Sequence, residues 1–329
     1  MAILVTGGLG YVGSHAVKML TDQGEEVVNL DNLSFGHIEA ASGSEVVIGD
    51  IGDQELLRRI FSTHKIEAVL HFAALADVTE SVADPHRFYS VNVSSSLAML
   101  AVMREFGCRM LIFSSSAAIF GEPESVPIAE DHPKSPTNPY GCSKLMLEQI
   151  LKEYDRAYGM RSISFRYFNA SGADPSGLLG EDHTPEHHLI PLVLKVALGQ
   201  RDHVKVYGTD WPTPDGTCIR DYVHVTDLAA AHLLGLQALR AGHPTTTYNL
   251  GNGSGYSVHQ AIRLASEVTG RQISTVPAAR RPGDPAVLVA SSEKIVKELG
   301  WKPRYCDLRT IIMTAWNWHR QHPSGYAQD

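Results

Sequence analysis

Through the first 170 residues, short apolar runs alternate with longer stretches whose apolar positions recur every three or four residues. The runs "AILVTGG", "EVVNLDN", "EVVIGDI", "IEAVLHFAA", "RMLIFSSSAAIF" and "RSISFRYFN" read as buried strands. The stretches "SHAVKMLTDQG", "QELLRRIFSTH", "HRFYSVNVSSSLAMLAVMREFG" and "YGCSKLMLEQILKEYDRAYG" read as helices, two of them closed by Gly24 and Gly107. Strands joined by helices of this length make crossover units, which are right-handed and give parallel pairing. The pattern predicts an α/β fold with a doubly wound parallel sheet of the Rossmann type.

After Asn169 the alternation breaks. "ASGADPSGLLGEDHTPEHHLIP" is rich in Gly, Pro, Asp and His and reads as a long irregular segment, of the kind that carries function in compact enzymes. The shorter, less regular strands and helices beyond it predict a smaller α/β substrate-binding domain. The expected division is 1–169, plus about 219–249, for the first domain, and 170–218 with 250–329 for the second.

Composition narrows the classes. The chain has 329 residues and a net charge of −8, which argues against a general nucleic-acid or anionic-membrane binder. Its four cysteines, Cys108, Cys142, Cys218 and Cys306, lack CxxC spacing and read as free thiols of a reducing compartment. The opening "MAILVTGG" enters a strand directly, and no apolar run is long enough to span a membrane. The cytoplasm is the expected location.

Chemistry enters at "TGGLGYVG". Gly7 allows a tight turn, Gly10 lets the backbone approach a pyrophosphate, and Gly13 permits close helix–strand packing. Helix-start amides then face the anion. A tight turn without ligand is the plainer alternative. Asp31 ends the second strand, 18 residues after Gly13, where a carboxylate accepts from both adenosine ribose hydroxyls and repels a 2′-phosphate. This predicts NAD rather than NADP, with a capping role for Asp31 as the alternative. Asp50 and Ile51 follow the third strand, where adenine is expected.

"NPYGCSK" places Tyr140 and Lys144 four apart, so that they share a helical face behind a cap at Asn138 and Pro139. Chance supplies roughly 0.4 such Tyr-x-x-x-Lys matches in a chain of this kind, so the surroundings decide its meaning. To act as a base near neutrality the tyrosine needs about 4 kcal/mol of differential stabilisation. A lysine ammonium, a nicotinamide cation and a helix N-terminus are the available sources.

The glycine turn, "HFAA" at 71–74, Asn92, the serines at 114–116 and the Tyr140/Lys144 pair together resemble the extended short-chain dehydrogenase/reductase family. Within it, "RYFNASGADPSG", "DGTCIRDYVHVTDLA", "YNLGNGSGYSV" and "RRPGDPA" are most similar to the UDP-glucose 4-epimerases. The resemblance implies interconversion of UDP-glucose and UDP-galactose, in galactose metabolism. The 4-hydroxyl is oxidised transiently, the hydride is held by tightly bound NAD, and the 4-keto sugar turns before the hydride returns to its other face. It implies Ser116, Tyr140 and Lys144 as catalytic residues, with Ser116 also holding the sugar and Tyr140 and Lys144 also in the cofactor site, Lys144 on the nicotinamide ribose. Tyr11, Val12, Asn32, Ser34, Gly36, Phe72, Ala73, Ala74, Asn92, Ser114 and Phe168 join the cofactor site. Arg220 and Arg281 would anchor the diphosphate, with Asn169 beside them, and Asp284 would hold the ribose. Val204, Lys205, Val206 and Tyr207 would form a strand beneath uracil, with His188, Leu189 and Leu288 also lining the substrate.

Sugar 4,6-dehydratases carry an Asp-Glu pair where this chain has Ala117 and Ala118, which removes the elimination machinery. Three positions depart from the epimerase pattern. Ala76 replaces a phosphate-binding lysine, and His188 replaces an asparagine. Leu288 is intermediate in size at the position that sets the width of the sugar pocket. UDP-N-acetylglucosamine, UDP-xylose and UDP-glucuronate therefore stay open as substrates, as does a catalytically silent NAD-binding scaffold. No metal is expected, because His187 and His188 lack a third ligand at convincing spacing. The resemblance also implies a homodimer through a four-helix bundle of segments 86–106 and 140–158.

Overall fold

A computed structural model describes residues 1–281 and 283–326. Pro282 of "RRPGDPA" and residues 327–329 lie outside the described residues. Six strands come from the first half of the chain: β1 (Ala2–Thr6), β2 (Glu26–Asp31), β3 (Glu45–Ile48), β4 (Ile66–His71), β5 (Met110–Ser116) and β6 (Arg161–Tyr167). With β10 (Thr246–Leu250) they form a seven-stranded sheet in the order β10-β6-β5-β4-β1-β2-β3. Every neighbouring pair is parallel. The order reverses between β1 and β4, and ligands bind such sheets beyond the strand ends at that point.

The alternation along β1 shows why the sheet is buried on both faces. Ile3 and Val5 face a core shared with Val17 and Leu20 of α1 (Tyr11–Asp22). Leu228 and Leu236 of α8 (Val225–Arg240) complete that layer. Ala2 and Leu4 face the opposite core, closed by α2 (Gln54–Thr63), α5 (Ser96–Glu105) and α6 (Pro139–Tyr158). Continuous apolar runs are what two covered faces require.

The segment read as one helix from 86 is interrupted. After the short α3 (Val78–Ala83) and α4 (Pro85–Tyr89), a π-helical turn spans Ser90–Ser95 before α5 begins. Within it Asn92 is buried, and its amide bonds both backbone groups of Leu75 and the Ser143 hydroxyl. The strand read at 109–120 likewise stops at Ser116, where its side chain caps a 3₁₀ turn at Ala117–Ile119.

Three short strands, β7 (Asn169–Ser171), β11 (Gly255–Ser257) and β13 (Val287–Leu288), pair with β9 (Ile219–His224), and β8 (Val204–Tyr207) pairs with β12 (Thr275–Ala278). Around them α7 (Leu189–Ala197), α9 (Val258–Thr269) and α11 (Leu308–Gln321) enclose a separate core of Ile190, Leu194, Ile262 and Ile311. α10 (Glu293–Leu299) returns Ile295 to the first core. Of the 219–249 stretch, α8 and β10 join the large sheet, whereas β9 belongs to the small one.

Candidate active site

The turn after β1 is shaped by glycine where the chain has no room. Gly7 has φ +71°, and a Cβ there would come within 2.5 Å of the Ala73 amide nitrogen. At Gly13 a Cβ would lie 2.2 Å from the Gly7 carbonyl. Gly10 differs: nothing but the Gly7 carbonyl comes within 3.5 Å of its Cβ position, leaving space above the turn. Helix α1 starts there with no side-chain cap and no acidic residue in its first turn. Its first amides are unsatisfied donors aimed along a helix axis, a cradle fitted to a phosphate. Tyr11 is turned away, its hydroxyl donating to the Gly172 carbonyl at 2.7 Å, while Val12 packs into the sheet core. For these two, only the backbone serves the turn.

Asp31 is buried at the end of β2 and accepts from the Leu9 and Leu33 amides at 3.0 and 2.8 Å. Each oxygen has one such bond and retains a lone pair for a ribose hydroxyl. A Cβ on Gly36 would lie 2.8 Å from Asp31 Oδ1, so that glycine keeps the carboxylate's surroundings clear. Asn32 donates to Asp50 and accepts from the Ser34 amide, forming an exposed rim. Ile51 is a core side chain, whereas Asp50 is exposed.

At the far side of the switch point, β5 alternates its serines. Ser115 turns inward and donates to Glu148 at 2.6 Å. Glu148 is paired with Arg166 in a two-pronged contact at 2.9 and 2.7 Å, with both side chains buried. Ser114 and Ser116 therefore face the other way. Asn138 caps α6 through the Gly141 amide at 2.8 Å with Pro139 in the first turn, as the sequence predicts. This places Tyr140 near Ser116, whose hydroxyl favours its ionised form. Lys144 is buried; its Nζ donates to the Ser114 carbonyl at 2.8 Å and lies 5.8 Å from the centre of the Tyr140 ring.

Burial raises the Tyr140 pKa above its ordinary value, against the pull of the Ser116 hydroxyl, and lowers Lys144 to about 7. The expected fall of the tyrosine towards neutrality is therefore not produced by the chain alone. Burial disfavours each charge singly, but a phenolate beside an ammonium carries no net charge. Behind this pair runs a buried chain: Thr6 to His71 at 2.7 Å, His71 to Ser96 at 2.9 Å, Ser96 to the Asn92 carbonyl at 2.8 Å. Burial holds His71 neutral, at about 3, so one ring nitrogen donates and the other accepts. Asn92 then reaches Ser143 on α6. Thr6, His71 and Ser96 went unread in sequence, because isolated polar residues at strand and helix ends carry no spacing signal.

Phe72, Ala73 and Ala74 are half-buried beside Gly7, and Phe168 is buried against Ala117 and Ile119. On the substrate side, Arg281 bonds Asp284 at 2.8 Å and covers the Tyr207 ring at 5.0 Å. Arg220 stands 4.0 Å from the same carboxylate and pairs in register with Leu288. Two predicted arginines thus meet at Asp284, with Tyr207 against Arg281 and Leu288 beside Arg220. The expected strand at 204–207 is present as β8; Val204 and Val206 turn their side chains into the second core, while Lys205 and Tyr207 face outward. Asn169 is half-buried in β7 beside Tyr222. Leu189 opens α7 and packs on the second core, and His188 caps that helix with its ring held by Glu186 and Glu181, each at 2.9 Å. Cys142 lies against Tyr89.

Comparison with known proteins agrees with this geometry. Residues 3–251 match the NAD dependent epimerase/dehydratase family. A UDP-glucose 4-epimerase of Halalkalibacterium halodurans is 51% identical, covering 100% of this chain and 98% of its own. The Brucella ovis UDP-glucose 4-epimerase in complex with NAD superposes with a TM-score of 0.93 at 46% identity, covering 96% and 97% of the two chains. That of Bifidobacterium longum, in complex with NAD+ and UDP, gives 0.94 at 38% identity, covering 99% and 100%. The chain belongs to the NAD dependent epimerase/dehydratase family and, within it, to the UDP-glucose 4-epimerases.

Proposed function

We propose that this protein interconverts UDP-glucose and UDP-galactose by transient oxidation at C4, with Ser116, Tyr140 and Lys144 as its catalytic residues. The observation that carries the reading is the meeting of these three side chains at the strand ends that also bear the glycine turn. NAD⁺, when bound, accepts and returns the hydride and adds a positive charge that favours the phenolate. The open, uncapped start of α1 and the Asp31 carboxylate fit its pyrophosphate and ribose.

The chain's own part is proton handling and anchoring. Tyr140 takes the proton of the sugar 4-hydroxyl and later gives it back. Ser116 hydrogen-bonds both partners, and Lys144 balances the phenolate's charge. Arg220 and Arg281 hold the diphosphate while the hexose turns, and Asp284 keeps both guanidinium groups oriented. The large sheet serves NAD and the small sheet serves the nucleotide sugar. An exposed apolar groove of Val93, Leu97, Met146, Ile150 and Tyr154 supports pairing of two copies through the α5–α6 face.

Leu288 supports a second, wider reading. It packs on the Ala117–Phe120–Phe168 cluster and adds no polar group to the sugar pocket, which suits an N-acetyl hexose as well. The test is a side-by-side assay of UDP-glucose, UDP-N-acetylglucosamine, UDP-xylose and UDP-glucuronate without added reductant. UDP-glucose is expected to give UDP-galactose. Tight NAD binding with none of the four converted would favour the scaffold role.

A further inference from the structure

The loop leading into α7 gathers four metal-competent side chains within eight residues: Glu181, His183, Glu186 and His188. One donor atom from each lies within 4.8 Å of the others. His188 Nδ1 is 2.9 Å from an oxygen of Glu181 and 2.9 Å from one of Glu186. His183 Nδ1 is 3.5 Å from an oxygen of each carboxylate. A tetrahedral ion with bonds of about 2.0–2.1 Å sets its ligand atoms about 3.3 Å apart, and the observed separations bracket that figure.

We propose that Glu181, His183, Glu186 and His188 bind one divalent transition-metal ion, zinc by the chemistry of the donors. Hydrogen bonding within the cluster explains the short contacts but leaves His183 Nδ1 sealed from solvent with no hydrogen-bond partner. Buried polar atoms are rarely left so, and this one points at two carboxylates. Those carboxylates are themselves nearly inaccessible, 5% and 2% exposed, yet have no arginine or lysine partner among the described residues. The two imidazoles are the carboxylates' only charged partners among those residues, and a divalent cation that displaces their two extra protons leaves the cluster with the same net charge. Nitrogen donors disfavour magnesium and calcium, and four ligands with no thiolate suit zinc.

The supporting contacts are those of a structural site. The His187 and His188 amides both donate to Glu186 Oε1 at 2.7 Å, fixing its carboxylate. The edge of Tyr11, first residue of α1, meets the His183 ring with centroids 6.3 Å apart. His188 caps α7. An ion here would lock the loop between the phosphate turn and the start of α7. The four ligands form the sequence pattern E-x-H-x-x-E-x-H, in which His187 takes no part.

The test uses the full-length protein, stripped with a chelator and then dialysed against Zn²⁺. Elemental analysis is expected to find one zinc per chain, and the thermal midpoint is expected to rise on zinc addition. His183→Ala and Glu181→Gln are each expected to lose that zinc and the thermal gain. Co²⁺ in place of zinc should give the visible bands of four-coordinate cobalt, and Glu186→Gln should abolish them. A wild-type protein that retains no zinc would overturn the proposal. So would variants, folded by circular dichroism, that retain as much zinc as the wild type, because the ion would then lie elsewhere.

Discussion

The Tyr140 side of the site and the Arg281 side differ in what holds their residues in place. Tyr140, Ser116 and Lys144 rest on buried parts of the large sheet: the Glu148–Arg166 pair beneath Ser115, and the Thr6–His71–Ser96–Asn92 chain behind α6. Arg281 is 45% exposed and is oriented by one carboxylate and one aromatic ring. A proton transfer needs groups placed to within fractions of an ångström, so its supports are rigid and dry. The proposed diphosphate anchor needs charge and reach, which Arg281 would supply from a half-exposed position and Arg220 from a buried one.

Substitutions should divide along that line. Tyr140→Phe removes the proton acceptor while leaving the fold and both binding surfaces, so kcat is expected to fall about a thousandfold. NAD content should stay at the wild-type level. Lys144→Met comes next. At 5.8 Å from the ring and an effective dielectric near 20, its charge is worth roughly 3 kcal/mol to a phenolate, or about two pKa units. The sign follows from burial: with the ammonium gone, the phenolate is the disfavoured form. The acid limb of the kcat/KM profile should therefore move up, with activity about a hundredfold down at neutral pH and partly restored as pH rises. Arg281→Leu loses a charge-assisted contact to the substrate, and KM should rise about tenfold with kcat changed much less. Cys142→Ala should leave both constants within twofold, because that thiol lies against Tyr89.

Legibility in the sequence follows the same division. The large sheet, the glycine turn, Asp31 and the α6 cap rest on local rules: periodicity, turn stereochemistry and capping at fixed offsets. Each leaves a mark within a few residues. The π turn at 90–95 left none, because it is set by Asn92 reaching Leu75 and Ser143, 17 and 51 residues away. The same holds for Arg220, Arg281, Asp284 and Tyr207, whose convergence is made by the pairing of β9 with β13 and by the cation–ring contact. There the resemblance to a family indicated roles that spacing does not contain. Along β8, strand alternation turns Val204 and Val206 into the core and leaves Lys205 and Tyr207 facing outward.

The central claim is that C4 is oxidised and reduced again on one molecule of enzyme, with nothing lost to solvent between. UDP-glucose deuterated at C4, incubated with the purified protein and no added cofactor, tests it most directly. The account predicts UDP-galactose that retains deuterium at C4 through many turnovers, with no accumulation of reduced cofactor. Loss of the label to solvent during epimerisation, or a requirement for stoichiometric NAD, would contradict it.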